Sequence, residues 1–240
     1  MPISDPNDIA GGVAWFDADD FSTLTLSGSD VAAWADKSPA GNDAVEPFVR
    51  PDYTADDGDG MPAILWPAPG TFVGLDTTHS TYTQPLTVFL VGRSELGTQQ
   101  YFFDGNGSPR WSYERTSTNR MLVYAGGNVQ TSTTAVDNAW HIHTLIIDGA
   151  STAIRIDGVV EATGNVGTDG QTNIKFGWNG GYAASLNGAI REIVIYDALL
   201  TGGQITDVEA YLDAHWNGGA PSAPTIPKQP ARRTYHLQGR

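Results

Sequence analysis

From residue 86 to residue 197 the chain repeats one event. A run of six to ten residues rich in β-branched and aromatic side chains is stopped by glycine, asparagine, serine or threonine, and another run begins. No helical crossover separates these runs, so a chain built this way hides its apolar faces by laying antiparallel sheets against one another. Residues 86–93 (LTVFLVGR) are apolar almost throughout, the pattern of a strand covered on both faces. Residues 110–115 and 120–125 flank Thr116, Ser117, Thr118 and Asn119, which predicts a hairpin with a four-residue loop. With Arg115 opposite Arg120, Trp111 faces Tyr124 and Tyr113 faces Leu122, all on one side of the ribbon. Further strands are expected at 141–148, 153–160, 173–178 and 188–197.

One segment breaks the pattern. In residues 202–216, Ile205, Val208 and Leu212 recur at helical spacing, and Gly218 and Gly219 follow. The expectation is a single amphipathic helix lying on the sandwich. Beyond it the composition changes. Pro221, Pro224, Pro227 and Pro230 fall at every third residue, the period of a polyproline II helix. The same stretch carries Lys228, Arg232, Arg233 and Arg240 and no acid, whereas the whole chain has a net charge of −14. The division expected is a sandwich over 1–218 and an extended basic arm over 219–240. Lys228, Arg232, Arg233, Tyr235 and Arg240 are its candidate anchoring residues.

The acidic body repels phosphate backbones, which excludes nucleic acid as its partner. With no cysteine, disulfides and thiolate chemistry are excluded as well. No apolar stretch is long enough to insert in a membrane. The opening MPISDPNDIA lacks the basic and apolar regions of an export signal.

The order of segments resembles the laminin G-like, concanavalin A-like lectin/glucanase superfamily over roughly residues 12–217. The pieces are GGVAWFDADD (11–20), VAAWADKSPAGNDA (31–44), MPAILW (61–66), LTVFLVGRS (86–94), WHIHTLIIDG (140–149) and the hairpin AIRIDGVV (153–160). LNGAIREIVIYDALL (186–200), ahead of a helix ending in YLDAHW (211–216), is the most specific. The resemblance implies an all-β, two-sheet antiparallel jelly roll with one short C-terminal helix. It does not choose among lectins, adhesion modules, glycosidases, lyases and virion proteins.

Catalytic patterns are degenerate. A retaining glycosidase needs two carboxyls about 5–5.5 Å apart. Asp17 and Asp19 have strand spacing for this but fall in an acidic turn, and Glu192 and Asp197 point to opposite faces of a regular strand. Arg93-Ser94-Glu95-Leu96 is similar to the start of an alginate-lyase motif, with His141-Ile142-His143 on a later strand. Gly97 replaces that motif's second arginine, and its tyrosine-rich third part is missing. No enzyme is expected. Asp56, Asp57 and Asp59 make calcium the one candidate cofactor, without the spacing of an EF-hand loop.

Binding has better support. Trp178, Asn179 and Tyr182 in a glycine-containing loop, together with Trp111, Tyr113 and Tyr124, are the candidate carbohydrate-binding residues, with Arg110, Asn179 or Glu114 to bond hydroxyls. The competing reading puts Trp111, Tyr113 and Tyr124 in the inner wall of the sandwich. The expected function is a non-catalytic surface module of a bacteriophage virion, a decoration or fibre-type protein. Its arm would hold other virion proteins and its sandwich would face host or environmental glycans. The alternatives are a lectin-like module of a bacterial surface or carbohydrate-active protein and, further off, a lyase or glycosidase.

Overall fold

The computed structural model describes residues 3–66, 73–77, 81–95, 97–105, 109–127, 130–179 and 184–217. The arm at 219–240, with all five of its candidate anchoring residues, lies outside the described residues, as does Tyr182. In chain order the strands are β1 (Gly12–Asp17), β2 (Leu24–Ser27), β3 (Asp30–Trp34), β4 (Ala44–Val45), β5 (Asp52–Thr54), β6 (Ala63–Trp66), β7 (Leu75–Thr77), β8 (Leu86–Ser94) and β9 (Gln100–Asp104). They continue as β10 (Ser112–Arg115), β11 (Arg120–Tyr124), β12 (Gln130–Ala135), β13 (His141–Ile147), β14 (Thr152–Ile156), β15 (Val159–Gly164), β16 (Lys175–Phe176) and β17 (Gly188–Tyr196). Helix α1 spans Gly202–Trp216.

Every ladder between these strands is antiparallel, and the ladders make two facing layers. The front layer runs β12-β11-β10-β9-β16-β7-β4-β3-β2. The back layer runs β15-β14-β13-β8-β17. β6 pairs the first half of β17 and β1 the second, and β5 joins β6 to β3. Between the layers Phe16 meets Trp34 and Phe176, and Phe103 meets Trp111, Tyr113 and Phe176. This is the all-β sandwich that the sequence implies.

Helix α1 covers the outer side of the back layer. Ile205, Val208, Leu212 and Trp216 are buried there, continuing the spacing read from sequence by one more turn. Thr201 and Gln204 form a capping box at its start, satisfying the first free N–H groups.

Three local expectations need correction. The 110–125 hairpin forms one residue out of the expected register, with Tyr113 opposite Val123 and Arg115 opposite Met121. The cause is Asn119, at φ 62, which closes a three-residue loop between Thr116 and Arg120 in place of the expected four. A one-residue slip turns a strand over, so Tyr124 faces away from Trp111 and Tyr113 instead of joining them. Residues 153–160 are the hairpin that the family resemblance implies, not the one strand that the apolar run suggests. Asp157 and Gly158, at φ 49 and 77, make a two-residue turn there. The strand expected over 173–178 shrinks to Lys175–Phe176. Gly177 turns at φ 77 hard against the Trp66 indole, where any Cβ would collide.

Candidate functional site

Along a strand, side chains alternate between faces. Phe176, Phe103, Tyr113 and Val123 of the front layer point to the core, so Lys175, Asp104, Glu114 and Tyr124 beside them point out, while a bulge in β9 keeps Phe102 inside as well, against His143. Lys175 pairs with Asp76 on one side and Asp104 on the other, placing the three in one row across β7, β16 and β9. The row is tied by charge. Lys175 Nζ lies 2.5 Å from Asp76 Oδ2, and Arg110 donates from Nη1 to Asp104 Oδ1. Aromatic rings are interleaved with these pairs. Lys175 Nζ sits 3.9 Å above the Trp178 ring, Trp178 donates its indole N–H to Asp76, and the Arg110 guanidinium lies 5.5 Å from the Tyr124 ring centre. A second row sets Tyr101 opposite Glu114, with Gln99 Nε2 donating to both. Phe48, 68 % exposed, meets the edge of Trp178 at 5.8 Å.

The arrangement suits a sugar. Phe48 and the half-buried Tyr124 are the rings open to the C–H face of a pyranose or furanose. The half-buried Asp76 and Arg110 offer an acceptor and donors to vicinal hydroxyls, while the buried Lys175, Asp104 and Trp178 hold them in place. Each cation in the row already has a carboxylate beside it, so the strip holds orientation without strong net charge.

Of the residues singled out from sequence, Trp111 and Tyr113 are 0 % exposed and belong to the core, away from any ligand. Trp178 and Asn179 are not the open loop expected. They are 4 % and 1 % exposed, and Trp178 bridges to Ser185. Trp178 still borders the outer strip through its bond to Asp76. Tyr124, half-buried, lies on that strip, as do Arg110 and Glu114. Lys175, Asp76, Asp104, Tyr101 and Phe48 went unnoticed in the sequence. Lys175 had a visible signal, a charge between Ile174 and Phe176 that alternation sends outward.

The catalytic patterns resolve differently. His143 Nδ1 lies 2.8 Å from the Tyr113 hydroxyl, a histidine–tyrosine pair of the kind that a lyase uses. Both are sealed between the layers. Burial first, and then His141, pull the His143 imidazole down to about 3. Arg93 projects from the other face of the back layer, bonding Asp57 through Nε and Nη2 and stacking on Trp140. The two lyase-like segments lie side by side in the β8–β13 ladder, His141 opposite Gly92, but Arg93 and His143 point to opposite faces of it.

Asp17, Glu192 and His215 each offer one ligand atom within 4.8 Å of the others, the one such group among the described residues. Asp17 and Glu192 are Cα partners across β1 and β17, a juxtaposition the sequence hid. A bulge at Arg191 turns Glu192 beneath the helix, where it accepts from Trp15 (2.8 Å) and Trp216 (2.5 Å). Burial, reinforced by Asp17, pushes the Glu192 carboxyl up to about 8. Burial also opposes the charge on Asp17, but His215 and Lys37, 2.8 Å away, hold it below the usual range. Lys37 already supplies the cation here, and the indoles hold both oxygens of Glu192. The set locks helix to sheet.

The acidic loop at 56–59 is likewise committed. Asp57 pairs with Arg93, Asp59 with Arg191 at 2.5 Å, and Asp56 Oδ1 accepts from the backbone of Gly58 and Gly60. The carboxylates read as a calcium candidate are matched by two guanidinium groups and two amides.

A family model described as the concanavalin A-like lectin/glucanases superfamily matches residues 71–206. No curated protein matches the sequence. Among solved structures, Trypanosoma rangeli sialidase is similar at a TM-score of 0.61 and 13 % identity, over 88 % of this chain and 35 % of the sialidase. The binding domain of Paraclostridial Mosquitocidal Protein 1 gives 0.60 and 11 % identity, over 85 % and 52 %. Domain 4 of AbnA, an extracellular arabinanase from Geobacillus stearothermophilus solved with arabinotriose, gives 0.56 and 18 % identity, over 82 % and 98 %. The chain thus spans about a third of the sialidase but nearly all of the arabinanase domain. At these identities the likeness is one of fold.

Proposed function

The chain belongs to the concanavalin A-like lectin/glucanases superfamily, and on that premise we propose that it is a non-catalytic carbohydrate-binding module whose ligand lies across the outer face of the front layer. The observation that carries this reading is the strip in which Phe48, Trp178 and Tyr124 alternate with the Lys175–Asp76 and Arg110–Asp104 pairs. The arabinanase domain solved with arabinotriose is in keeping with it. The absence of catalysis is part of the proposal. Its support is that the His143–Tyr113 pair is closed off in the core, while Asp17 and Glu192 lie under α1.

The test is a glycan array on the full chain, with Tyr124→Ala and Phe48→Ala as controls. Binding that both substitutions abolish supports the strip. Binding that both leave intact moves the site elsewhere, and silence across neutral and acidic glycans overturns the reading.

The finer proposal puts the module on a bacteriophage virion, held through residues 219–240. It is supported by the contrast between an acidic sandwich and a basic, proline-spaced arm. Removing 219–240 then abolishes association with particles. A module of a bacterial surface or carbohydrate-active protein is the competing reading, favoured by the near-complete overlap with one domain of a larger arabinanase. Under it the truncation leaves glycan binding unchanged.

A further inference from the structure

A groove of about 480 Å³ lies between α1, the start of β13 and the β14–β15 turn, on the side of the molecule away from the front strip. That size falls within the range of about 300–1,000 Å³ typical of small-ligand clefts. Its apolar lining is Trp140, Ile142 and Ala210, and its polar lining includes Asp157, Asp213 and Asn217. Trp140 is half-buried and held in place, with the Arg191 guanidinium 3.9 Å and that of Arg93 5.5 Å from its ring centre. Both guanidinium groups are themselves tied down, Arg191 by Asp59 and Arg93 by Asp57. The indole is a fixed platform.

The polar groups are fixed as well. Asp157 Oδ2 lies 2.7 Å from His141 Nδ1, and its Oδ1 accepts from the Ile142 amide at 2.9 Å. Asp213 Oδ1 accepts from the Asn217 side-chain amide at 2.9 Å. A carboxylate has about four acceptor positions, so both acids keep some to offer. Asp157, Asp213 and Asn217 are all exposed. Glu209, which also lines the groove, is closed by Thr144 and by Arg155, whose Nε and Nη2 reach it at 2.8 and 2.9 Å. Side chains already oriented by their own partners lose little freedom when a ligand arrives.

The field across the groove selects a neutral guest. The guanidinium groups on Trp140 disfavour a second cation over that ring, and the carboxylates at the rim disfavour an anion. What fits is a ligand with an apolar face for the indole and with hydroxyls that donate to Asp157 and Asp213 and accept from Asn217. The geometry points to a second carbohydrate site here, taking one or two residues of a neutral sugar. It stands whether or not the front strip binds. So small a contact gives affinity on the order of millimolar, which titration in solution reads and a washed array does not.

The test is a proton–nitrogen NMR titration of the full chain with maltose, cellobiose and lactose, and with choline and glucuronate as charged controls. The backbone amides of Ile142, Gly158, Ala210 and Asn217 are expected to shift and saturate with a sugar and with neither control. They should do so equally in Tyr124→Ala, which breaks the front strip. Ala210→Trp fills the groove from an exposed position and should abolish the shifts while the rest of the spectrum stays. Should that variant not fold, Asp213→Ala, at an exposed position, is expected to weaken the sugar several-fold. No shift at these amides with any of the three sugars overturns the inference, as does a response to choline alone. Shifts lost in Tyr124→Ala overturn it too, because they then report the front strip, and shifts that survive in the folded groove variants place the sugar elsewhere.

Discussion

Glu192 of β17 stands directly across the ladder from Asp17 of β1, so two carboxyls share one buried spot beneath helix α1. Only Asp17 has an ammonium beside it, and the two part in their affinity for protons. The folded state holds the Glu192 proton up to about 8, against an ordinary value of 4.5. Stability is then complete at low pH with respect to this group and drains as pH rises from 4.5 through 8. Thermal unfolding from pH 6 to pH 9 should show a falling midpoint, on the order of a few kcal/mol in all if the whole shift is realised. In Glu192→Gln the slope should flatten. An equally steep slope in the variant assigns the effect to other groups.

His143 runs the opposite way. Its folded value is depressed to about 3, so the stability it contributes is full above its ordinary 6.5 and declines as pH falls below that. Its ring signals in NMR should not titrate between about pH 7 and pH 5, where a free imidazole would. Tyr113→Phe leaves the Nδ1 atom of His143 without its buried partner and should lower stability by about 1–3 kcal/mol.

Trp111 and Tyr124 entered as members of one aromatic face and now separate cleanly. Trp111→Ala empties a core site and should lower stability by about 3–5 kcal/mol. Tyr124→Ala should leave the unfolding midpoint within a degree or two, on the order of 0.5 kcal/mol, while removing glycan binding. Calorimetry paired with a binding titration distinguishes them. A stable Trp111→Ala protein would contradict the layer assignment.

Calcium should not stabilise the chain. Asp57 and Asp59 are matched by Arg93 and Arg191, so a cation would have to displace a guanidinium that is already bonded. Unfolding midpoints with millimolar calcium and with a chelator should coincide. Arg93→Ala removes the counter-charge and should loosen the 55–61 loop, read as faster proteolytic nicking there.

Local rules carried the sequence reading far. The apolar run at 86–93 and the helical spacing of Ile205, Val208 and Leu212 describe β8 and α1 almost to the residue, because both patterns lie within one element. The 110–125 register failed on one side chain. Asn119 took a left-handed conformation that a four-residue loop does not need. The outer strip was harder to see, since Asp76, Asp104 and Lys175 are separated in sequence and meet only when β7, β16 and β9 pair. The same distance hid Asp17 from Glu192.

The hold of Trp216 on Glu192 has a mechanical meaning. β1 starts beside the end of β17, at Gly12 and Tyr196, so tension between the chain before β1 and the chain after β17 would peel that ladder apart one bond at a time. Helix α1 runs back along the sheet and fastens at Glu192, at the ladder's far end. While that fastening lasts, a pull on the segment after Asn217 loads the β1–β17 bonds together, in shear.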